Sequence, residues 1–149
     1  MKTFHRMLIA ALVVSLTACG GAATPTTTPL HVIEHATTDS VGDVVPEGDS
    51  VGDTLGFANE VFDESNTNKV GADNGFCVRT AVGAAWECVW TISLALGQIT
   101  AEGPFYDSGD SVLAITGGTG EYSQVRGSMT LHARNAEGSE YDFVYTIIK

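Results

Sequence analysis

From Leu30 onward the chain is a succession of short segments in which apolar and polar residues alternate, and nearly every break between them contains glycine. A period of two marks a strand with one buried face, because successive side chains leave a strand on opposite sides. The segments span residues 30–36, 50–62, 70–82, 86–95, 98–106, 111–116, 122–133 and 140–148. None of them holds a helical period. Short strands at regular spacing predict an all-β sandwich or barrel. Eight antiparallel strands close into a barrel whose interior is filled by side chains or holds one small ligand.

Ahead of the strands lies a different kind of sequence. Lys2 and Arg6 form a basic start, an apolar run follows over 7–16, and Leu16-Thr17-Ala18-Cys19 has the small-residue pattern of a bacterial lipobox. The run is too short for a permanent bilayer span. Residues 1–18 are therefore expected to be a lipoprotein signal peptide, with Cys19 acylated after cleavage. The polar, proline-punctuated stretch GGAATPTTTP completes a flexible linker over 19–29, and the barrel domain occupies 30–149. The expected location is the cell envelope, with the protein exported and held to a membrane through lipid.

Charge narrows the partners. Lys2 and Arg6 fall in the leader, so the remaining chain keeps five basic and 18 acidic side chains, a formal charge of −13. Such a surface repels phosphate backbones, and nucleic acid is excluded as a partner. Membrane attachment then has to come from the acyl chains on Cys19. With Cys19 modified, Cys77 and Cys88 remain as an even pair in a compartment that permits disulfides.

Few residues offer chemistry. The TGGTGEY run at 116–122 lacks the lysine of a phosphate loop and suits a tight strand connection. His31 and His35 would clasp zinc on a helix, but on a strand they stand ~13 Å apart and cannot share an ion. No metal site, nucleophile elbow or cofactor motif is present in the sequence, so no cofactor is expected. Acidic residues such as Asp43, Asp49 and Asp53 lie where turns need caps. Alternation places Trp86, Cys88 and Trp90 on one face and Tyr141, Phe143 and Tyr145 on another, both candidates for the barrel interior.

The strands flanking Gly83-Ala84 should form a hairpin that brings Cys77 near Cys88. Two alternatives follow. Bonded cysteines share a face, so Arg79 joins Trp86 and Trp90 inside, where a guanidinium is costly unless paired or used. If they are not bonded, Phe76 and Val78 point inward and Arg79 is solvated.

Four stretches resemble the allene oxide cyclase-like barrels, which group with the plant dirigent proteins. They are GDSVGDTLGFAN at 48–59, GFCVRT at 75–80, EGPFYDSGDSVLAITGGTGEY at 102–122 and RGSMTLHA at 126–133. The resemblance implies an eight-stranded antiparallel barrel with a central apolar cavity, often oligomeric, that folds a small unsaturated lipophilic substrate and steers its cyclisation. Holding reactants in a reactive shape can lower a barrier by ~7–11 kcal/mol with few catalytic groups. Phe57 and Asn59 match the plant cyclase pattern, while Gly56 stands where those enzymes have proline. By the same resemblance Asn59 would orient a substrate oxygen or cap a turn. Tyr106 would donate a hydrogen bond to a carbonyl or epoxide, or sit as a rim tyrosine. The expected substrate-binding set is Phe57, Arg79, Trp86, Trp90, Pro104, Phe105, Tyr141 and Phe143. A non-catalytic carrier of a lipophilic ligand, and an interaction module with a filled barrel, are the other functions this architecture allows.

Overall fold

Ten strands run through residues 25–149, the part of the chain that the computed structural model describes. The leader, Cys19 and most of the linker lie outside the described residues. The strands are β1 (Thr27–His35), β2 (Ser40–Gly42), β3 (Thr54–Phe57), β4 (Glu60–Asp63), β5 (Lys69–Ala81), β6 (Ala85–Leu94), β7 (Gly97–Tyr106), β8 (Ser111–Gly118), β9 (Arg126–Ala133) and β10 (Glu140–Ile148). All neighbours pair antiparallel, in the order β2-β3-β5-β4-β1-β10-β9-β8-β7-β6, and a further β5–β6 pairing closes the sheet on itself.

The barrel has eight staves, not ten. β3 and β4 share one register along β5, through Leu55↔Cys77 and Glu60↔Ala72, and Asn59 exchanges two 3.0 Å backbone hydrogen bonds with Asp73 between them. They are one stave, interrupted at Ala58 and Asn59. β1 and β2 likewise follow each other along that stave. The sequence pattern merges β3 and β4 correctly but misses β2, which is three exposed residues and carries no alternation. It also starts the first strand late. β1 begins at Thr27, and Pro29 is tolerated there because only β10 lies beside it; β4 joins from Val32. Residues 122–125 are not strand: Gly120–Tyr122 form a 3-10 turn, and a β-carbon at Gly120 would run into the Leu96 carbonyl.

Two ends result. The mouth end gathers the connections around residues 36–53, 82–84, 107–110 and 134–139. The floor end gathers 64–68, 95–96, 119–125 and both ends of the described chain.

Inward side chains fill most of the space between. Trp90 is central: its ring meets Phe57 at 4.7 Å, Phe105 at 5.7 Å and Phe143 at 6.0 Å, the last two edge-on. Gly75 makes room for this, because a β-carbon there would strike the Phe57 ring. Ile92, Ile99, Leu113, Met129 and Phe143 have no exposed surface, so no water-sized gap lies beside them. The interior is apolar, as expected. Open space is found at the ends, because four aromatic rings occupy the middle.

The histidines face outward on β1. His31 Nε2 is 2.8 Å from Asp142 Oδ1, and His35 Nε2 is 2.7 Å from Asn66 Oδ1 with its ring stacked on Phe62. Among the described residues no group of three or more His, Cys, Asp or Glu side chains is placed to hold a metal.

Because Phe143 is fully enclosed and touches the central indole, Phe143→Ala should lower unfolding free energy by ~3–5 kcal/mol, read from urea denaturation. A loss under ~1 kcal/mol would mean that the lumen is loosely packed.

Candidate functional site

The hairpin turning at Gly83 pairs Cys77 with Cys88, and the two are joined as a disulfide. Arg79 is therefore on the inner face, at the mouth. Its guanidinium lies 4.2 Å over the Trp86 ring. Nη1 donates to both Asp107 oxygens at 2.6 and 2.8 Å, and Nε stands 2.6 Å from Asp49 Oδ1 at an angle too bent for a hydrogen bond. Two carboxylates thus neutralise the one inward cation, and Arg79 ties three mouth segments together. Asp49 was expected to be an ordinary turn acid; its part in this clamp comes from residues thirty apart in sequence. Asp43 and Asp53 do cap turns, accepting from Gly48 N, and from Val44 N and Ser50 N.

Beside the clamp the mouth opens into a recess of about 140 Å3, lined by Phe105, Asp107, Leu131, Ala133 and Tyr141 among others. Phe105 meets Tyr141 edge-on at 6.0 Å and Trp90 below it. Tyr141 also stands directly across from Glu34 in the β1–β10 ladder.

Glu34 begins a buried acidic group. It projects inward from β1, and Asp73 projects inward from β5; each residue is 2% exposed. Asn59 links them, donating from Nδ2 to Glu34 Oε1 at 2.9 Å and from its backbone N–H to Asp73 Oδ1 at 3.2 Å. Burial pushes the Glu34 carboxyl well above the usual range, and the adjacent Asp73 carboxyl pushes it further; Asn59 works against this. Burial also raises Asp73, to about 6, while contacts with Glu34, the Asn59 N–H and Trp90 favour its charge. Burial thus holds both carboxyls above the ordinary carboxylate range and favours a proton kept between them. Trp90 Nε1 approaches Asp73 without completing a hydrogen bond, and Asp73 Oδ2 is also left without a partner. Burial raises the Tyr141 and Tyr145 phenols too, with the same carboxyls adding to it, so both remain O–H donors. Two carboxyls of raised pKa, with the Tyr141 and Tyr145 phenols near enough to feel their charge, form a group that can exchange protons.

The expected site residues are divided by this geometry. Phe57, Trp86, Trp90, Phe105, Tyr141 and Phe143 all face the interior, Phe57, Trp90 and Phe143 as packed core. Pro104 faces outward opposite Glu87; it lacks an N–H where β8, which pairs with β7 only up to Glu102, leaves that edge free. Tyr106 follows inward-facing Phe105 and stands at the rim, 44% exposed, where it lines the mouth recess. The Asn59 amide is fully engaged: Oδ1 accepts from Thr37 N, Thr38 N and Thr38 Oγ1, and Nδ2 serves Glu34 and Asp39. It has no hydrogen-bonding capacity left for a substrate oxygen. The acids Glu34 and Asp73 went unnoticed in the sequence. Their signal was phase: each falls on the apolar side of its strand, Glu34 with Leu30 and Val32, Asp73 with Cys77.

A family model described as an allene oxide cyclase barrel like domain matches residues 32–144. The chain belongs to that family. Among solved structures, pyocyanin demethylase superposes with a TM-score of 0.69 at 27% identity, over 78% of this chain and 98% of its own. A pterocarpan synthase dirigent protein gives 0.65 at 16% identity, over 83% and 94%. An exo-specific intermolecular Diels–Alderase gives 0.68 at 14%, over 85% and 100%. The last two share the fold with this allene oxide cyclase-like barrel. None of the curated proteins matches its sequence.

The shared proton has a consequence for stability. Folding raises both carboxyl pKa values, so the folded barrel binds more protons than the unfolded chain above the ordinary carboxylate range. Stability must then fall as pH rises through about 6 and beyond. Stability should therefore decline between about pH 5 and about pH 8, and Glu34→Gln should make that decline shallower. Equal slopes for the two proteins in urea melts across that range would refute the proton sharing.

Proposed function

We propose that this barrel is an enzyme of the isomerase or cyclase type that takes a small, unsaturated, lipophilic molecule at its mouth and moves a proton on it through Glu34 and Asp73. The observation that carries the proposal is the buried carboxyl pair, joined through Tyr141 to a recess of mixed polar and aromatic lining. Glu34 is the acid and Asp73 the base. Tyr141, which lines the recess and stands opposite Glu34, connects the pair to the substrate. Desolvation gives such a pair its value, because a carboxyl raised to near neutrality can both give and take a proton.

The recess is smaller than the usual ~300–1,000 Å3 of ligand sites. The substrate is therefore compact, or it displaces Tyr141 and the 134–139 connection as it enters. The aromatic floor of Phe105 and Trp90 suits a flat or conjugated molecule. The 27% identical relative is by name a demethylase of pyocyanin, which supports small-molecule chemistry in a barrel of this sequence type. The signal pattern over 1–18, Cys19 and the Cys77–Cys88 disulfide support an exported, lipid-anchored protein. Nothing in the proposed step calls on a cofactor.

The test begins with native mass spectrometry of the purified protein for a retained small molecule. Turnover is then followed on that molecule, on pyocyanin and on a panel of conjugated lipids. Glu34→Gln should cut turnover by roughly 10²–10⁴-fold while binding persists. Undiminished turnover in Glu34→Gln would remove the acid–base assignment. Binding by the unaltered protein with no conversion would make the barrel a carrier.

A further inference from the structure

The floor end differs from the mouth in both charge and polarity. Mouth connections carry Asp39, Asp43, Glu47, Asp49, Asp107 and Asp110. The floor carries fewer acids, Asp63, Glu64 and Glu121, and among the described residues the paired bases are Lys69 with Glu60, Arg79 with Asp49 and Asp107, and Arg134 with Asp142 and Glu140. Arg126 and Lys149 are in none of these pairs, although acids outnumber bases heavily in the chain. Both are exposed and line one recess of about 330 Å3.

A second floor recess, of about 270 Å3, is apolar and lined by Leu30, Val70, Leu94, Leu96 and Tyr122 among others. Leu96 is 61% exposed at the tip of the β6–β7 turn, where a polar residue would be usual. The two recesses adjoin at the 3-10 turn, Glu121 lining the cationic one and Tyr122 the apolar one. Arg126 and Lys149, in no ion pair among the described residues, next to exposed leucine and half-buried tyrosine have the layout of an interfacial membrane contact.

The path of the chain selects the occupant. The first described strand, β1, starts at this end, where Lys149 N donates to the Thr26 carbonyl beside Arg126 and Lys149. Seven residues separate Cys19 from Thr26, a reach of at most ~25 Å. We infer that the floor end rests on a bilayer surface containing anionic phospholipid, with Leu96 and Tyr122 at headgroup level, Arg126 and Lys149 against the phosphates, and the mouth turned away. This orientation does not rest on the proposed catalysis. It leaves the recess at Phe105 and Tyr141 open to the aqueous side and keeps the acidic mouth off the membrane.

The acylated full chain, reconstituted in phosphatidylethanolamine/phosphatidylglycerol vesicles with brominated acyl chains, tests the orientation. Leu96→Trp should be quenched above the background of buried Trp86 and Trp90, and Ala136→Trp at the mouth should not. Quenching at Ala136→Trp, or at neither position, would overturn the inference. The contact itself is tested with the mature chain carrying Cys19→Ser, which cannot be acylated, in flotation with the same lipids unbrominated. Arg126→Ala and Lys149→Ala should each weaken partitioning about fivefold, equivalent to ~1 kcal/mol per cation at an anionic surface, and added salt should abolish the difference. Partitioning unchanged by both substitutions would equally refute it.

Discussion

β5 hydrogen-bonds along one edge to β3 and β4 and along the other to β6, and that double pairing converts a sheet into a barrel. Everything inside follows from the closure. A closed sheet has no free edges, and its interior volume is set by strand number and tilt. Inward side chains cannot swing out to water. Large rings must fit around one another, which is why glycine stands at position 75 beside Phe57. Any inward charge must be neutralised where it stands, because the alternative is a desolvated ion.

The barrel neutralises its inward charges in two ways. Arg79 is at the rim, close enough to the mouth connections for Asp49 and Asp107 to reach it. That solution fixes geometry: the ion pairs join the 43–53 segment, β5 and the β7–β8 connection, and Trp86 covers the guanidinium. Glu34 and Asp73 lie deeper, where no cation reaches. They are held by one amide, Asn59, and by a shared proton. Placing two acids side by side costs stability at neutral pH, and a filled apolar lumen of Leu or Met at those positions would avoid that cost. That cost is what the proposed acid–base role would explain.

The period-two alternation made the strands legible, and the seventh and eighth inward stripes, Met129 with Leu131 and Phe143 with Tyr145, are where alternation puts them. Barrel closure was legible only as a count of eight. Strand neighbours separated by more than a hundred residues, such as Leu30 and Tyr145, leave no local trace. The site was less readable for the same reason. Glu34, Asn59 and Asp73 belong to three staves, and each looks ordinary alone: an acid among apolar residues, an amide in a loop, an acid near glycine. The family motif drew attention to Asn59 and Tyr106 by position. Their side chains, however, are governed by local facts, the tight 36–39 connection in one case and the alternation past Phe105 in the other. The cysteine pair was the most useful nonlocal clue, since bonding Cys77 to Cys88 decides which way Arg79 points.

A filled middle changes what kind of catalyst this barrel can be. A wide tunnel could work by shape alone, folding a long substrate along its length. With Trp90 and Phe143 occupying the centre, a substrate reaches no further than the mouth, and shape can act on only a few of its atoms. Chemistry at such a site needs groups that act directly, and the two acids and two phenols beneath Phe105 are the ones available. Their protonation is set by the same packed rings that exclude a larger substrate. Loosening the lumen to admit more would therefore hydrate Glu34 and Asp73, return their pKa values toward the ordinary range and weaken the acid–base pair. Under the proposed function, substrate size and proton-transfer strength are opposed, and a compact substrate would follow from the electrostatics as much as from the volume.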